Sequence, residues 1–199
     1  MINIKDTILV VSPEEKLEDL EELKSKYKIL WIKKGAFGSG EHETTRSCLE
    51  VMCELDFKNK NVLDIGCGTG ILGIASVLLG AREVIAIDIA KEAIETTMVN
   101  IKINGVEDKL RVYPVPIEAL KESGKFDIIL ANIYGDVIKR IVTHIDSRTV
   151  DRGFVLLSGI TYDQNFEIIH SFKKLGYQLI KNLYLEEYTT VLLQKHTPY

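Results

Sequence analysis

At 199 residues, with 46% hydrophobic and 27% charged residues, the chain is sized for one well-cored domain and lacks the low hydrophobicity of a disordered tail. A formal net charge of −4 provides no broad attraction to phosphate backbones, so nucleic acid is unsupported as a partner. Cys48, Cys53 and Cys67 lack C-x-x-C spacing, which argues against disulfides and zinc, and the most apolar stretch, Ile71 to Leu79, is far short of the ~20 residues that span a bilayer, so a cytoplasmic protein without metal or membrane anchor is expected.

The first residues read as a β-like run, Ile4 to Val11, and a charged helix opened by Ser12, Pro13 and Glu15, a cap, a first-position proline and a capping-box partner. Leu17, Leu20 and Leu23 supply its narrow apolar stripe. From Lys60 onward apolar runs alternate with amphipathic segments, the pattern of strands joined by crossover helices. Asn61 to Ile65 is a buried strand, followed by a glycine turn and a helix over Ile71 to Leu79. Glu83 to Asp88 is the next strand, and Ala93, Ile94, Thr97, Met98 and Ile101 mark a helix ending near Asn104-Gly105.

Leu110 to Tyr113, Phe126 to Ala131 and Phe154 to Leu157 follow as strands, with helices around Val137 to Ile145 and Phe166 to Leu175. The last two runs, Tyr177–Tyr184 and Thr189–Gln194, are separated by the short polar turn Leu185-Glu186-Glu187 and form a hairpin. The expected sheet is therefore parallel with an antiparallel end.

Four constellations carry chemistry. Val62-Leu63-Asp64-Ile65-Gly66-Cys67-Gly68-Thr69-Gly70-Ile71 runs from a strand into a helix, where glycines let a ligand lie against backbone. The spacing is G-x-G-x-G: Ile71 stands where a dinucleotide fingerprint needs glycine, and no P-loop is present. Asp88 ends the next strand about 20 residues on, where a carboxylate accepts the hydroxyl protons of a ribose; the alternative is an N-cap of the following helix. Together they describe a site for an adenosine-bearing ligand.

Asn132, in Ala131-Asn132-Ile133-Tyr134, has an amide that can orient an attacking amine, with a helix cap as its alternative. The glycine-rich segment Gly35 to Arg46, containing Phe37 and Thr45, forms a loop able to close over a ligand. His42 between Glu41 and Glu43 is a polar loop residue, since three adjacent ligands converge poorly on one ion.

The stretches AFGSGEHETTR (Ala36 to Arg46), VLDIGCGTGIL (Val62 to Leu72), Val84 to Asp88 and FDIILANIY (Phe126 to Tyr134) resemble the ribosomal protein L11 methyltransferase family of class I, S-adenosylmethionine-dependent enzymes. The resemblance runs from about Gly35 to the C-terminal hairpin. It implies a Rossmann-like class I methyltransferase fold, a seven-stranded, mostly parallel sheet with an antiparallel C-terminal hairpin and helices on both faces.

It also implies S-adenosyl-L-methionine as cofactor, contacted by Thr45, Gly66, Asp88 and Asn132, the last also as the catalytic group. Phe37 in the loop and Gly68 in the turn complete the expected cofactor site. The family's additional N-terminal recognition domain is expected to be lacking, with residues 1–34 a short strand–helix extension and 35–199 the catalytic core of one domain. The acceptor is expected to be a protein, a ribosomal protein among the candidates, or a small molecule. An RNA methyltransferase with the same cofactor half and a non-catalytic cofactor-binding module are the alternatives. A lysine nucleophile must first lose a proton, and desolvation in the closed site, or a nearby carboxylate such as Glu43 or Asp136, is expected to lower that barrier.

Overall fold

The computed structural model describes residues 1–33, 40–121 and 124–196. It opens with β1 (Ile2–Ile4) and β2 (Ile8–Val11), antiparallel to each other, then α1 (Leu20–Lys26) and β3 (Lys28–Trp31), which lies parallel to β2. The run expected over residues 4–11 is broken because Lys5 and Asp6 take left-handed backbone, φ 47° and 49°. Asn3 holds this turn by accepting from the Asp6 N–H at 3.0 Å and donating to its carboxylate at 2.8 Å.

The helix expected from Ser12 begins only at Leu20. One arm of the capping box does form, the Ser12 N–H donating to Glu15 at 3.3 Å. The Ser12 hydroxyl, however, donates to the Glu14 carboxylate, and Glu15 also holds the amino terminus at 3.1 Å. The start signal therefore yields a single turn, Glu15 N–H to Ser12 carbonyl at 3.0 Å.

The chain continues through α2 (Glu43–Met52), β4 (Asn61–Ile65), α3 (Ile71–Leu78), β5 (Glu83–Ile87), α4 (Lys91–Asn104), β6 (Leu110–Tyr113) and a 3₁₀ turn at Ile117–Ala119. β7 (Phe126–Asn132), α5 (Gly135–Arg148), β8 (Thr149–Thr161), α6 (Tyr162–Lys174), β9 (Tyr177–Tyr184) and β10 (Tyr188–Lys195) complete it. The seven-stranded sheet has the order β6-β5-β4-β7-β8-β10-β9. Neighbours from β6 to β8 pair in parallel, and β10 is antiparallel to both β8 and β9, as expected for a Rossmann-like sheet with an antiparallel hairpin. β8 extends well beyond the expected Phe154–Leu157, because its register shifts near Arg152 (φ 60°) and its last residues pair with the start of β10.

Strand alternation sorts the core into two layers. Val62, Val84, Ile128 and Leu156 face one, with α2, α3, α4 and the small front sheet; Leu63, Ile85, Ile129 and Val155 face the other, with α5 and α6. The chain leaves β4 toward β5 on one side and reaches β7 on the other, so β4 and β7 flank the point where strand order reverses. Ligands of open α/β sheets lodge outside the strand ends at such a point. Among the described residues no helix is long and apolar enough to cross a membrane.

Candidate active site

The turn after β4 is built from left-handed backbone, with φ of 70°, 58° and 79° at Gly66, Gly68 and Gly70. Glycine is needed at Gly66 for space as well: a Cβ there would stand 2.3 Å from Ile133 Cγ2. The Gly66 and Cys67 N–H groups donate to the Ile87 carbonyl at 2.8 and 3.1 Å, which draws the turn against the end of β5.

Asp88 stands there, half-buried. Its Oδ2 accepts from the Gly68 N–H at 3.0 Å and its Oδ1 from the Ala90 N–H at 2.9 Å. The N-cap of α4 is Ala90, so Asp88 is not the capping residue. Each of its oxygens retains lone-pair capacity beyond the one bond it accepts. Next to it Ile89 is 78% exposed, an apolar side chain at the lip of the turn. Beside this region the Asp88 N–H meets the Tyr113 carbonyl at 3.3 Å, and Tyr113, Val115, Ala119 and Leu120 line an open cavity of about 310 Å³. A smaller cavity of about 80 Å³ lies at the opposite, amino ends of β4, β5 and β7.

At the end of β7 the Asn132 Nδ2 donates to Thr45 Oγ1 at 3.2 Å. Thr45 is buried in the first turn of α2, whose N-cap is His42; the ring Nδ1 accepts the Thr44 N–H at 3.3 Å. His42 is thus a capping residue as well as a polar loop residue. The N-cap of α5 is Tyr134, which leaves the Asn132 amide out of helix capping. Because Nδ2 is committed to Thr45, the amide plane is set and Oδ1 is the atom presented for another donor. Ile133, the next residue, is wedged between Gly66 and Gly159; a Cβ on Gly159 (φ 79°) would stand 2.6 Å from the Ile133 carbonyl.

The expected residues therefore form one linked set: Thr45 bonds Asn132, the neighbouring Ile133 touches Gly66, and Gly68 bonds Asp88. Phe37 lies outside the described residues. Both carboxylates weighed as proton acceptors take part in hydrogen bonds of the fold. Glu43 accepts the N–H groups of Glu186, Glu187 and Tyr188 at 2.7, 3.0 and 3.2 Å. Burial opposes its charge, but those amides outweigh it and hold the carboxyl below its usual range. Asp136 accepts from Gln164 at 2.8 Å and pairs with Lys139 at 3.1 Å.

Asp64 stood in the glycine-turn segment with no role of its own, although a carboxylate in an otherwise apolar strand is a signal. It is buried and accepts the Gly73 N–H at 2.9 Å. Gly70, the N-cap of α3, has no side chain, so Asp64 reaches from β4 to satisfy an amide of the first helical turn that would otherwise lack a partner. Burial raises its pKa to about 7, against the pull of that amide and with a further push from Asp88.

A raised carboxyl binds its proton more tightly in the folded than in the unfolded protein, so stability contributed by Asp64 is present below pH ~4 and is lost as pH rises through about 7. We expect Asp64→Asn to remove this fall. Between pH 5 and pH 8 the urea-unfolding free energy of wild type should drop by about 2–3 kcal/mol more than that of the variant. Parallel pH slopes would show that the group titrates normally.

Also unforeseen is a pair of carboxamides one turn apart on α4. Asn100 exchanges bonds with the Lys33 backbone at 2.8 and 3.2 Å and donates to the Thr69 carbonyl at 2.9 Å, while Asn104 does the same with Trp31 at 3.0 and 2.6 Å. They tie the end of the front sheet to the glycine turn. Among the described residues no group of three His, Cys, Asp or Glu side chains is placed to hold a metal ion.

The family model for ribosomal protein L11 methyltransferase (PrmA) matches residues 3–196. Curated relatives described as ribosomal protein L11 methyltransferase include one from Citrifermentans bemidjiense, 36% identical over 153 residues, 74% of this chain and 49% of that protein. Another, from Shewanella woodyi, is 42% identical over 133 residues, 67% of this chain and 45% of that protein. The chain thus spans about half the length of these curated relatives. Among solved structures, ribosomal protein L11 methylase from Lactobacillus delbrueckii subsp. bulgaricus superposes with a TM-score of 0.87 at 28% identity, covering 98% of both chains.

Proposed function

We propose, from the premise that the chain belongs to the ribosomal protein L11 methyltransferase family, that it transfers methyl groups from S-adenosylmethionine to nitrogen atoms of a protein in the cytoplasm. A ribosomal protein is the first acceptor to test, and residues 35–199 are the catalytic core of one domain extended by residues 1–34. The observation that carries this reading is the linked set Thr45–Asn132 and Gly66–Gly68–Asp88 beside the strand-order reversal.

These residues fit the donor. Gly66 and Gly68 leave backbone unshielded by Cβ atoms, Asp88 has acceptor capacity for ribose hydroxyls, and Ile89 offers an apolar surface to a base. S-adenosylmethionine, when bound, supplies an electrophilic methyl carbon on a sulfonium whose departure leaves a neutral thioether. No strong acid or base is needed for such a leaving group, so the protein's main contribution is alignment. The acceptor amine donates an N–H to Asn132 Oδ1, and the Thr45 bond keeps that oxygen in place. A lysine amine, with a pKa of ~10.4, is mostly charged at neutral pH. Desolvation of the amine as the acceptor docks favours its neutral form, and Glu43 and Asp136, both hydrogen-bonded within the fold, are the carboxylates weighed beside it.

The deciding measurement is label transfer. With methyl-tritiated S-adenosylmethionine and a cell lysate, the protein should produce label that is removed by protease and survives nuclease, and mass spectrometry of the acceptor should place 14-Da increments on nitrogen. Label released by nuclease would move the acceptor to RNA. Absence of donor binding in calorimetry would overturn the reading altogether.

A further inference from the structure

Around Asn132 the described contacts close into a ring. Asn132 bonds Thr45 in the first turn of α2, where Glu43 holds the amides of Glu186, Glu187 and Tyr188 in the β9–β10 turn. That turn is held in turn by α6, whose first residue, Tyr162, donates its hydroxyl to the carbonyls of Leu185 and Glu186, the latter at 3.1 Å. Gln164, on the same turn of α6, donates to Asp136 of α5, and α5 is capped by Tyr134, two residues after Asn132. Asn132 and Tyr134 stand where β7 gives way to α5, and Tyr162 and Gln164 where β8 gives way to α6; the first turn of α2 and the β9–β10 turn close on them.

The ring exposes two kinds of side chain. Tyr134, Phe166 and Tyr184 are 67%, 78% and 64% exposed, and Tyr162 packs edge-on against Tyr184 with centroids 5.5 Å apart. Interleaved with them, Asp163, Glu186 and Glu187 are exposed carboxylates. Lys139 of α5 is taken up by Asp136 at 3.1 Å and Glu167 at 3.3 Å. The buried Asn165 braces the arrangement, donating to the Tyr184 hydroxyl at 3.2 Å and accepting from Thr189 at 3.0 Å. Exposed aromatics on a rigid base suit aliphatic stems and cations, and a rim of carboxylates attracts cations and repels phosphate chains.

Resting on the methyl-transfer reading, we propose that this acidic, aromatic rim is the acceptor-side docking surface and that its occupant is a basic, lysine-bearing polypeptide segment. The rim sets partner chemistry by charge and stacking, while Asn132 at its edge receives the lysine nitrogen.

The test uses a fluorescein-labelled peptide of alternating lysine and serine, with a glutamate–serine peptide and an oligouridylate as controls, in anisotropy titrations of the full chain. Wild type should bind the lysine peptide, more weakly as salt rises, and neither control. The double variant Glu186→Lys/Glu187→Lys should weaken that binding by about tenfold. Phe166→Ala, which removes an exposed ring stacked on His170, should weaken it a few-fold. Calorimetry of S-adenosylmethionine on the same proteins should be unchanged. Equal binding of the lysine peptide by wild type and the double variant, or binding of the oligouridylate as tight as that of the peptide, would overturn the proposal. Loss of donor binding in wild type would instead sink the reading it rests on.

Discussion

Replacing Asn132 by alanine should lower kcat by about 10²–10³-fold while shifting the dissociation constant for S-adenosylmethionine by less than about threefold. The amide is tied to Thr45 through Nδ2, and the role proposed for Oδ1 is to receive a donor from the acceptor side. An interaction made with the attacking group lowers the barrier without adding to donor affinity. Single-turnover rates with saturating donor, set beside calorimetric titrations, separate the two quantities. A matched loss in both would make Asn132 a binding residue only, and an unaltered rate would remove it from the reaction. Since Ile133 is wedged between Gly66 and Gly159, the loss should arise from the missing amide and not from a displaced loop, which thermal unfolding of the variant will check.

Asp88→Ala should raise the dissociation constants for S-adenosylmethionine and its demethylated product alike, by about 30–100-fold, with a much smaller change in rate at saturating donor. Hydrogen bonds to a charged acceptor contribute on the order of 1.5–3 kcal/mol each, so loss of one accounts for this range. The same carboxylate also organises the protein by accepting from Gly68 and Ala90. Asp88→Asn, which keeps one acceptor oxygen, should therefore fall between wild type and alanine in affinity. If the alanine variant is less stable without ligand but binds donor as wild type does, Asp88 acts on the turn and not on the ribose.

Much of the site was legible because its determinants are local. The order apolar strand, three glycines, apolar helix specifies a tight turn of left-handed residues wherever it occurs, and Gly66, Gly68 and Gly70 all adopt positive φ. The strand that Asp88 follows begins soon after α3, so the carboxylate's position beside the turn follows from a short crossover. Alternation of strands and helices likewise implied the parallel sheet, and the short turn at residues 185–187 implied its antiparallel end. Start signals near the amino terminus misled for the complementary reason: Ser12 and Glu15 found other partners, and the helix gave way to them.

From sequence alone, then, came the class of fold, the glycine turn, and the residue types suited to an adenosine-bearing donor, since backbone geometry and hydrophobic period are set by neighbours in the chain. Only tertiary structure decided which side chains meet. Thr45 and Asn132 are 87 positions apart, and Glu43 reaches amides more than 140 positions away in the last hairpin. Such pairings depend on how α2, β7 and the β9–β10 turn pack on one sheet. No local rule encodes that distance, so the hold of Glu43 on the last hairpin had no counterpart in the sequence pattern.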